Sequence, residues 1–241
     1  MRLRGQLLPI AEVSLPQRQA MLDLMTRYYA NVSPEKFHAD LMEKHWVILL
    51  WDQRNSQLCG FSTQGLYPVE VAGRPVMTLF SGDTIVQPEH WGDVALAHVW
   101  GRLAVSLIDR HPHTPLYWFL IAKGFRTYRF LPVFFHEFYP RYDLPTPPSE
   151  AVLLNALGQW RFASAYDAAA GLLRADASKD YLRPGVSDLT ADRLADPHVR
   201  FFAQRNPGHA RGDELCCLAP LTRGNFTRAA WRVIEAGGGS A

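Results

Sequence analysis

The segment Thr84-Ile85-Val86-Gln87-Pro88-Glu89-His90-Trp91-Gly92-Asp93 constrains this chain most. A β-prone run stops at a proline, turns through Gly92 and opens an amphipathic helix at Val94. Strand, tight loop and helix N-terminus follow one another in one short piece. The first N–H groups of a helix have no intrahelical partners and carry the positive end of its dipole. Such a place suits a phosphate or pyrophosphate.

The flanking pattern extends this unit in both directions. Downstream, Leu96, Val99, Trp100, Leu103 and Leu107 share one helical face, and Pro112 ends the helix. Leu116 to Ala122 is then an all-apolar run, predicted as a buried strand. Upstream, Val76 to Val86 reads as a long strand interrupted at Ser81-Gly82. A glycine inside a strand marks a bulge or a close backbone approach. Trp46 to Trp51 and Leu58 to Gln64 read as antiparallel neighbours, and Val69 to Val71 as a short strand before the Ala72–Pro75 turn. Near the start, a strand is expected at Leu7 to Val13. Ser14 is expected to cap a first helix with Gln17 at the capping-box position. Ser33-Pro34 opens a second helix.

After residue 122 the pattern is looser. Tyr128 to Tyr139 reads as an aromatic helix with an irregularity at Pro132, and Glu150 to Arg174 as a helix. Residues 176–197 are polar and poorly periodic. Glu214 to Leu218 reads as a last strand, followed by a helix over 226–234. The predicted fold class is α/β in the broad sense (α+β): a mixed, mostly antiparallel sheet flanked by helices. A core over residues 1–145 carries an extension over 146–236, and residues 237–241 read as a flexible tail.

Composition narrows the function classes. Hydrophobic residues make up 48% of the 241, enough for a real core. A formal charge of +2 without a Lys/Arg run gives no reason to expect nucleic acid as a partner. No apolar run approaches the length of a membrane span, and no signal peptide is evident, so a soluble cytoplasmic protein is the expectation. The three cysteines, Cys59, Cys216 and Cys217, have neither disulfide nor metal spacing. His90 and His98 are too far apart for a compact pair, and His111 and His113 lack partners, so no metal is expected.

The order of elements, with the run Val86-Gln87-Pro88-Glu89-His90-Trp91-Gly92-Asp93-Val94-Ala95, resembles the GCN5-related N-acetyltransferases, the acyl-CoA N-acyltransferase superfamily. Pro88, Glu89 and Gly92 fall where that family's loop has them. Trp91 stands where a basic or polar residue is usual, and Val94 where a second small residue is usual. The resemblance covers about residues 1 to 140. It implies a coenzyme A thioester as co-substrate, its pyrophosphate held by the backbone at Val86, Gly92, Asp93 and Val94. It implies acyl transfer to a small-molecule amine, with an acyl carrier protein as an alternative donor. It also implies a tyrosine acid on the helix after the strand at 116–122, for which Tyr128 stands nearest.

Acyl transfer to an amine needs a held thioester, a polarised carbonyl, a base and an acid. Asp83, Glu89 and His90 are the candidate bases, and Tyr128 the candidate acid. A carboxylate serves as base near neutral pH only when burial raises its pKa. The competing roles are a solvated or capping carboxylate for Asp83 and Glu89, a helix N-cap for Asp93, and an aromatic packing residue for Tyr128. Lys123, Arg126 and Arg129 form a basic cluster that suits phosphate or a solvated edge. An inactive module of the same fold, binding acyl-CoA or an acyl chain, is the alternative function, favoured by Trp91 and Val94.

Overall fold

The computed structural model describes residues 2–186 and 188–236; the expected tail over 237–241 lies outside them. In chain order the strands are β1 (Leu3–Pro9), β2 (Tyr29–Ala30), β3 (Trp46–Asp52), β4 (Leu58–Val71), β5 (Arg74–Val86), β6 (Leu116–Ala122), β7 (Tyr166–Asp167), β8 (Leu172–Leu173), β9 (Tyr181–Leu182) and β10 (Glu214–Pro220). The helices are α1 (Leu15–Tyr28), α2 (Pro34–Met42), α3 (Ala95–Arg110), α4 (Phe125–Tyr128), α5 (Phe130–Phe134), α6 (Pro148–Phe162), α7 (Ala191–Leu194), α8 (Pro197–Arg205) and α9 (Arg228–Glu235).

One eight-stranded sheet runs β1-β3-β4-β5-β6-β10-β8-β7. Only the β5–β6 pair is parallel, because α3 returns the chain between them. Alternation along the strands divides the core. Val47 and Leu49 of β3 pack with α1 and α2, through Met21, Leu22, Met25, Phe37 and Leu41. Ile48 and Leu50 point to the other face and meet Ala95 and Leu96 of α3. At the β6 end, Trp118 and Leu120 join the α3 side with Leu103 and Leu107, while Phe80 and Phe119 face Leu153 and Leu157 of α6. The mixed, mostly antiparallel α+β architecture is therefore as predicted. Among the described residues no helix is long and apolar enough to cross a membrane.

Several elements differ from expectation for local reasons. The first strand begins at Leu3, pairs with β3 along its length and stops at Pro9. The short strand at 69–71 is the end of one long β4 that pairs with β5 as far as the Ala72-Gly73 turn. The helix expected over 128–139 is two short turns. Past Phe134 the chain is extended, and Tyr139 exchanges N–H···O bonds of 2.7 Å with Leu218. The helix expected over 150–174 ends at Phe162, where Ala163 takes φ +39°. Asp167 then accepts from the N–H of Ala170, Gly171 takes φ +68°, and β7 and β8 form a hairpin that widens the sheet. The capping box at Ser14 and Gln17 forms as expected.

Candidate active site

β5 and β6 pair only from Met77–Leu116 to Ser81–Leu120. Beyond Ser81 the two strands have no mutual pairing, so a cleft opens between their C-terminal ends. At the same point β5 bulges. Ser62 pairs with Thr84 and Gln64 with Ser81, so Thr63 alone opposes both Gly82 and Asp83. The bulge reverses side-chain parity. Leu79 and Ser81 face the α3 side, and regular alternation would send Asp83 there too. Instead Gly82 and Asp83 both line a polar cavity on the opposite side. Only glycine fits at 82, since a Cβ there would lie 2.7 Å from Thr63 Oγ1 and 2.9 Å from Lys44 Cε.

Three cavities meet at the cleft. The polar one, about 350 Å³, is walled by α2, by Asp83, and by Lys123, Lys179, Asp180 and Glu214. A second, about 260 Å³, runs beside Trp91, Gly92 and Asp93 to Arg126 and Arg129. The third, about 40 Å³, is apolar and lies against Trp100, Trp118, Phe130 and Phe134. Thr84 and Thr127 line all three, and Tyr29 lines the first two.

Asp83 has no hydrogen bond or ion pair among the described residues, whereas the charges around it are matched. Lys123 Nζ is 2.5 Å from Asp180 and 3.5 Å from Glu214. Lys179 is 2.8 Å from Glu214, and Lys44 is 2.6 Å from Asp40. Desolvation in the cavity, reinforced by the negative charges of Asp40 and Asp180, raises the Asp83 carboxyl to about 7, against the opposing pull of Lys123 and Lys44. A carboxyl at that value exchanges protons near neutrality, as a general base must.

The loop after β5 keeps Gly92 at φ +97°, the left-handed turn that favours glycine. The N–H groups of Gly92 and Val94 have no partner among the described residues, but that of Asp93 donates to His90 O. The Asp93 carboxylate accepts from the N–H groups of Ala95, Arg2 and Leu3. It thus caps α3 and fastens β1 to it, and it places a negative charge where the helix dipole favours an anion. The Trp91 indole donates to Val86 O at 2.9 Å, so that carbonyl is already engaged. Across the cleft the Arg126 guanidinium stacks 3.5 Å from the Trp91 ring centroid, and its buried Nε has no partner. Lys123 is held by Asp180 and Glu214, and Arg129 by Asp196 at 3.3 Å, so among the described residues Arg126 is the cation of the expected basic cluster without an ion pair.

The other expected site residues lie elsewhere. Glu89 is exposed on the Pro88–His90 turn and lines none of the three cavities. His90 borders the second cavity but is buried, with Nε2 3.8 Å from Asp52. Tyr128 is buried against Phe138, Phe201 and Phe202 and donates to Pro140 O at 3.0 Å, away from the cleft. Burial pushes its phenol above the ordinary range. Aromatic density drew Tyr128 into the core, so it does not stand as the acid. Tyr128→Phe is expected to cost about 1 kcal/mol through the lost hydrogen bond, measurable by denaturant melts, and to leave any activity of the cleft within two-fold.

The bulge read from Ser81-Gly82 and the turn read at Gly92 are thus both present. No protein-family profile and no curated protein matches the chain. Solved structures to which the chain is similar match it at low identity and over about half its length. One is a conserved protein of unknown function from Enterococcus faecalis, described as a probable N-acyltransferase: 16% identity, 54% of this chain, 31% of that one, TM-score 0.41. The aligned part thus spans about a third of that protein. Another is the GNAT family N-acetyltransferase YhbS of Escherichia coli, solved in complex with CoA: 16% identity, 53% of this chain, 68% of that one, TM-score 0.38. A third is an acyl-CoA N-acyltransferase from Pseudomonas aeruginosa: 21% identity, 48% of this chain, 78% of that one, TM-score 0.32.

Sequence reasoning missed the far wall of this cleft. Residues 176–183 cross it: β9 pairs with β2, Asn31 donates to the carbonyls of Ala177 and Lys179, and Lys36 meets Ser178. It also missed one group of donor atoms. Asp52, Cys59 and His90 bring ligand-type atoms within 4.8 Å of one another. Both Asp52 oxygens are, however, bonded to Arg54, which holds that carboxyl down at about 2. The carboxylate's lone pairs thus serve the β3–β4 turn.

Proposed function

We propose that the chain transfers a short acyl group from an acyl-CoA thioester to a small-molecule amine. The observation that carries this reading is Asp83. It is a carboxyl without an ion pair among the described residues, turned by the bulge into the polar cavity beside Thr84, where the three cavities meet, and raised to about 7. The second cavity would take the donor, with the free N–H groups of Gly92 and Val94 and the Arg126 guanidinium toward its phosphates. The polar cavity would take the amine, and the apolar one the acyl chain. At about 40 Å³ the last suits a group of a few carbons, which favours acetyl-sized donors over a lipid chain on a carrier protein. Phe138 packs on Tyr128 and does not line this cavity.

The amine nitrogen attacks the thioester carbon, a C–N bond forms and the C–S bond breaks. An incoming ammonium gives up one proton before attack and a second as the amide forms. Asp83 takes the nitrogen's proton, and the departing thiolate ends as the thiol, so one proton is released overall. Lys44, Lys123 and Lys179 of the polar cavity are already paired with other carboxylates, so an ammonium meets Asp83 without competition from them.

The test is to incubate the protein with acetyl-CoA and a panel of primary amines, following free thiol and acylated product by mass spectrometry. Amine-dependent formation of both is expected. Binding of acetyl-CoA with no turnover on any amine would support the second reading, a binding module of the same fold. The observation that favours that reading is the burial of Tyr128, which takes the expected acid out of the cleft. Absence of binding would sink both.

Arg126 gives a separate check on the donor side. Arg126→Met keeps an unbranched chain against Trp91 and removes the charge. It is expected to weaken CoA binding about 10- to 100-fold, the range for losing a charged hydrogen bond. Calorimetric titration should also find a shallower salt dependence than in wild type.

A further inference from the structure

We infer that the Thr84 hydroxyl is a catalytic hydrogen-bond donor, aimed into the cleft by a one-way chain of buried hydrogen bonds that starts at Trp118. The inference rests on the acyl-transfer reading of the cleft and adds to it the group that polarises the thioester carbonyl.

The chain has five members. Trp118 Nε1 donates to Ser81 Oγ at 2.9 Å, and Ser81 Oγ donates to Gln64 Oε1 at 2.6 Å. Gln64 Nε2 donates to Ser62 Oγ at 2.8 Å, and Ser62 Oγ lies 2.7 Å from Thr84 Oγ1. Its direction follows from the chemistry of the first member. An indole N–H can only donate, so Ser81 must accept from it. Ser81 then has one proton to pass on, which fixes the amide oxygen of Gln64 toward Ser81 and its NH₂ toward Ser62. Ser62 accepts from that NH₂, and its single proton goes to Thr84. Thr84 therefore accepts from behind and keeps its own proton for the front.

Among the described residues that proton has only a poor partner, the Gly82 carbonyl at 3.3 Å. Ser62, Gln64 and Ser81 are almost fully buried, so no water resets the order, and hydrogen bonds in series polarise one another. Thr84 lines all three cavities, at the point where the donor, amine and acyl spaces meet. It stands beside Asp83 but on the opposite parity of the bulge. Base and donor thus approach a reacting carbonyl from two sides. A donor fixed in advance at developing negative charge is the arrangement that lowers a barrier without reorganisation. Gln64 touches no cavity and is a positioning residue.

The experiment compares wild type, Thr84→Val, Thr84→Ser and Gln64→Glu. Valine matches the shape of threonine without the hydroxyl. Glutamate at 64, as a carboxylate, cannot donate to Ser62, so Ser62 turns its proton inward and Thr84 follows. Steady-state acyl transfer from acetyl-CoA is measured alongside melting temperature. The infrared carbonyl band of bound 1-¹³C-acetyl-CoA supplies a readout that needs no acceptor. Thr84→Val is expected to lower kcat about 100-fold, with KM for acetyl-CoA changed less than three-fold. Thr84→Ser should recover most of the rate. The carbonyl band should sit at lower frequency in wild type than in Thr84→Val or Gln64→Glu. Unchanged kcat and band position in Thr84→Val would overturn the inference while leaving acyl transfer standing. A band shift in wild type with no turnover on any amine would keep the donor role and overturn acyl transfer. Failure of wild type to bind acetyl-CoA would overturn both. Should Gln64→Glu not fold, the Val and Ser pair decides alone.

Discussion

Replacing Asp83 with Asn is expected to reduce acyl transfer about 10²- to 10⁴-fold, the usual contribution of a positioned general base. Asparagine keeps the size and removes the proton acceptor. In wild type, kcat/KM should rise with pH and level off above an apparent pKa near 7, the value at which desolvation holds the carboxyl. In Asp83→Asn that limb should vanish. Steady-state rates over pH 5.5 to 9 measure both. A wild-type profile without an inflection between pH 6 and 8 would remove Asp83 from the role of base.

The same substitution has an opposite effect on stability. The folded carboxyl at about 7 lies above its ordinary value of 3.8, so the folded state binds the proton more tightly than the unfolded chain does. That contribution is fully present below about pH 4 and is lost as pH rises through about 7. Above neutrality wild type carries a charge in a poorly solvated cavity. Asp83→Asn should therefore melt higher than wild type at pH 8, by ~2–4 °C for each kcal/mol relieved in a chain of this size. The difference should shrink toward pH 5. A variant that loses activity while gaining stability separates a functional carboxyl from a structural one.

How much of this was legible in the sequence depends on the range of the interactions. The loop and α3 were readable because a proline, a glycine and a 3.6-residue apolar period are local signals. The glycine at 82 announced a bulge, but its consequence, the reversal that turns Asp83 toward the polar cavity, needs the register of β4 against β5. β7, β8 and β9 have two residues each and carry no periodicity. Tyr29 follows directly on α1 and carries no strand signal of its own, yet it pairs with Leu182, over 150 residues downstream. Tyr128 was placed by family position, and its apolar neighbours on α8 lie some 70 residues downstream. The hydrogen-bond chain behind Thr84 joins three strands and has no signature in any one of them.

Asp93→Asn should push stability and donor affinity in opposite directions, and the second effect locates the donor's phosphates. The carboxylate accepts three backbone N–H groups, from Arg2, Leu3 and Ala95, and these bonds hold its carboxyl below the ordinary range despite burial. Asparagine offers one oxygen and turns an NH₂ toward donors. The unmatched contact should cost about 1–3 kcal/mol, seen as a melting temperature lower by ~2–4 °C per kcal/mol. Meanwhile the N-terminus of α3 loses a negative charge. An anion bound there should gain about 1 kcal/mol, or roughly five-fold in affinity at low salt. Titration of CoA at 20 mM and 300 mM salt should find this gain at the lower concentration and little of it at the higher. A tighter CoA complex in the less stable protein would place the phosphates beside Gly92 and Val94, as acyl transfer from a CoA thioester requires. Unchanged affinity would mean that Arg126 alone meets the donor's charge and that Asp93 has closed the helix end to it.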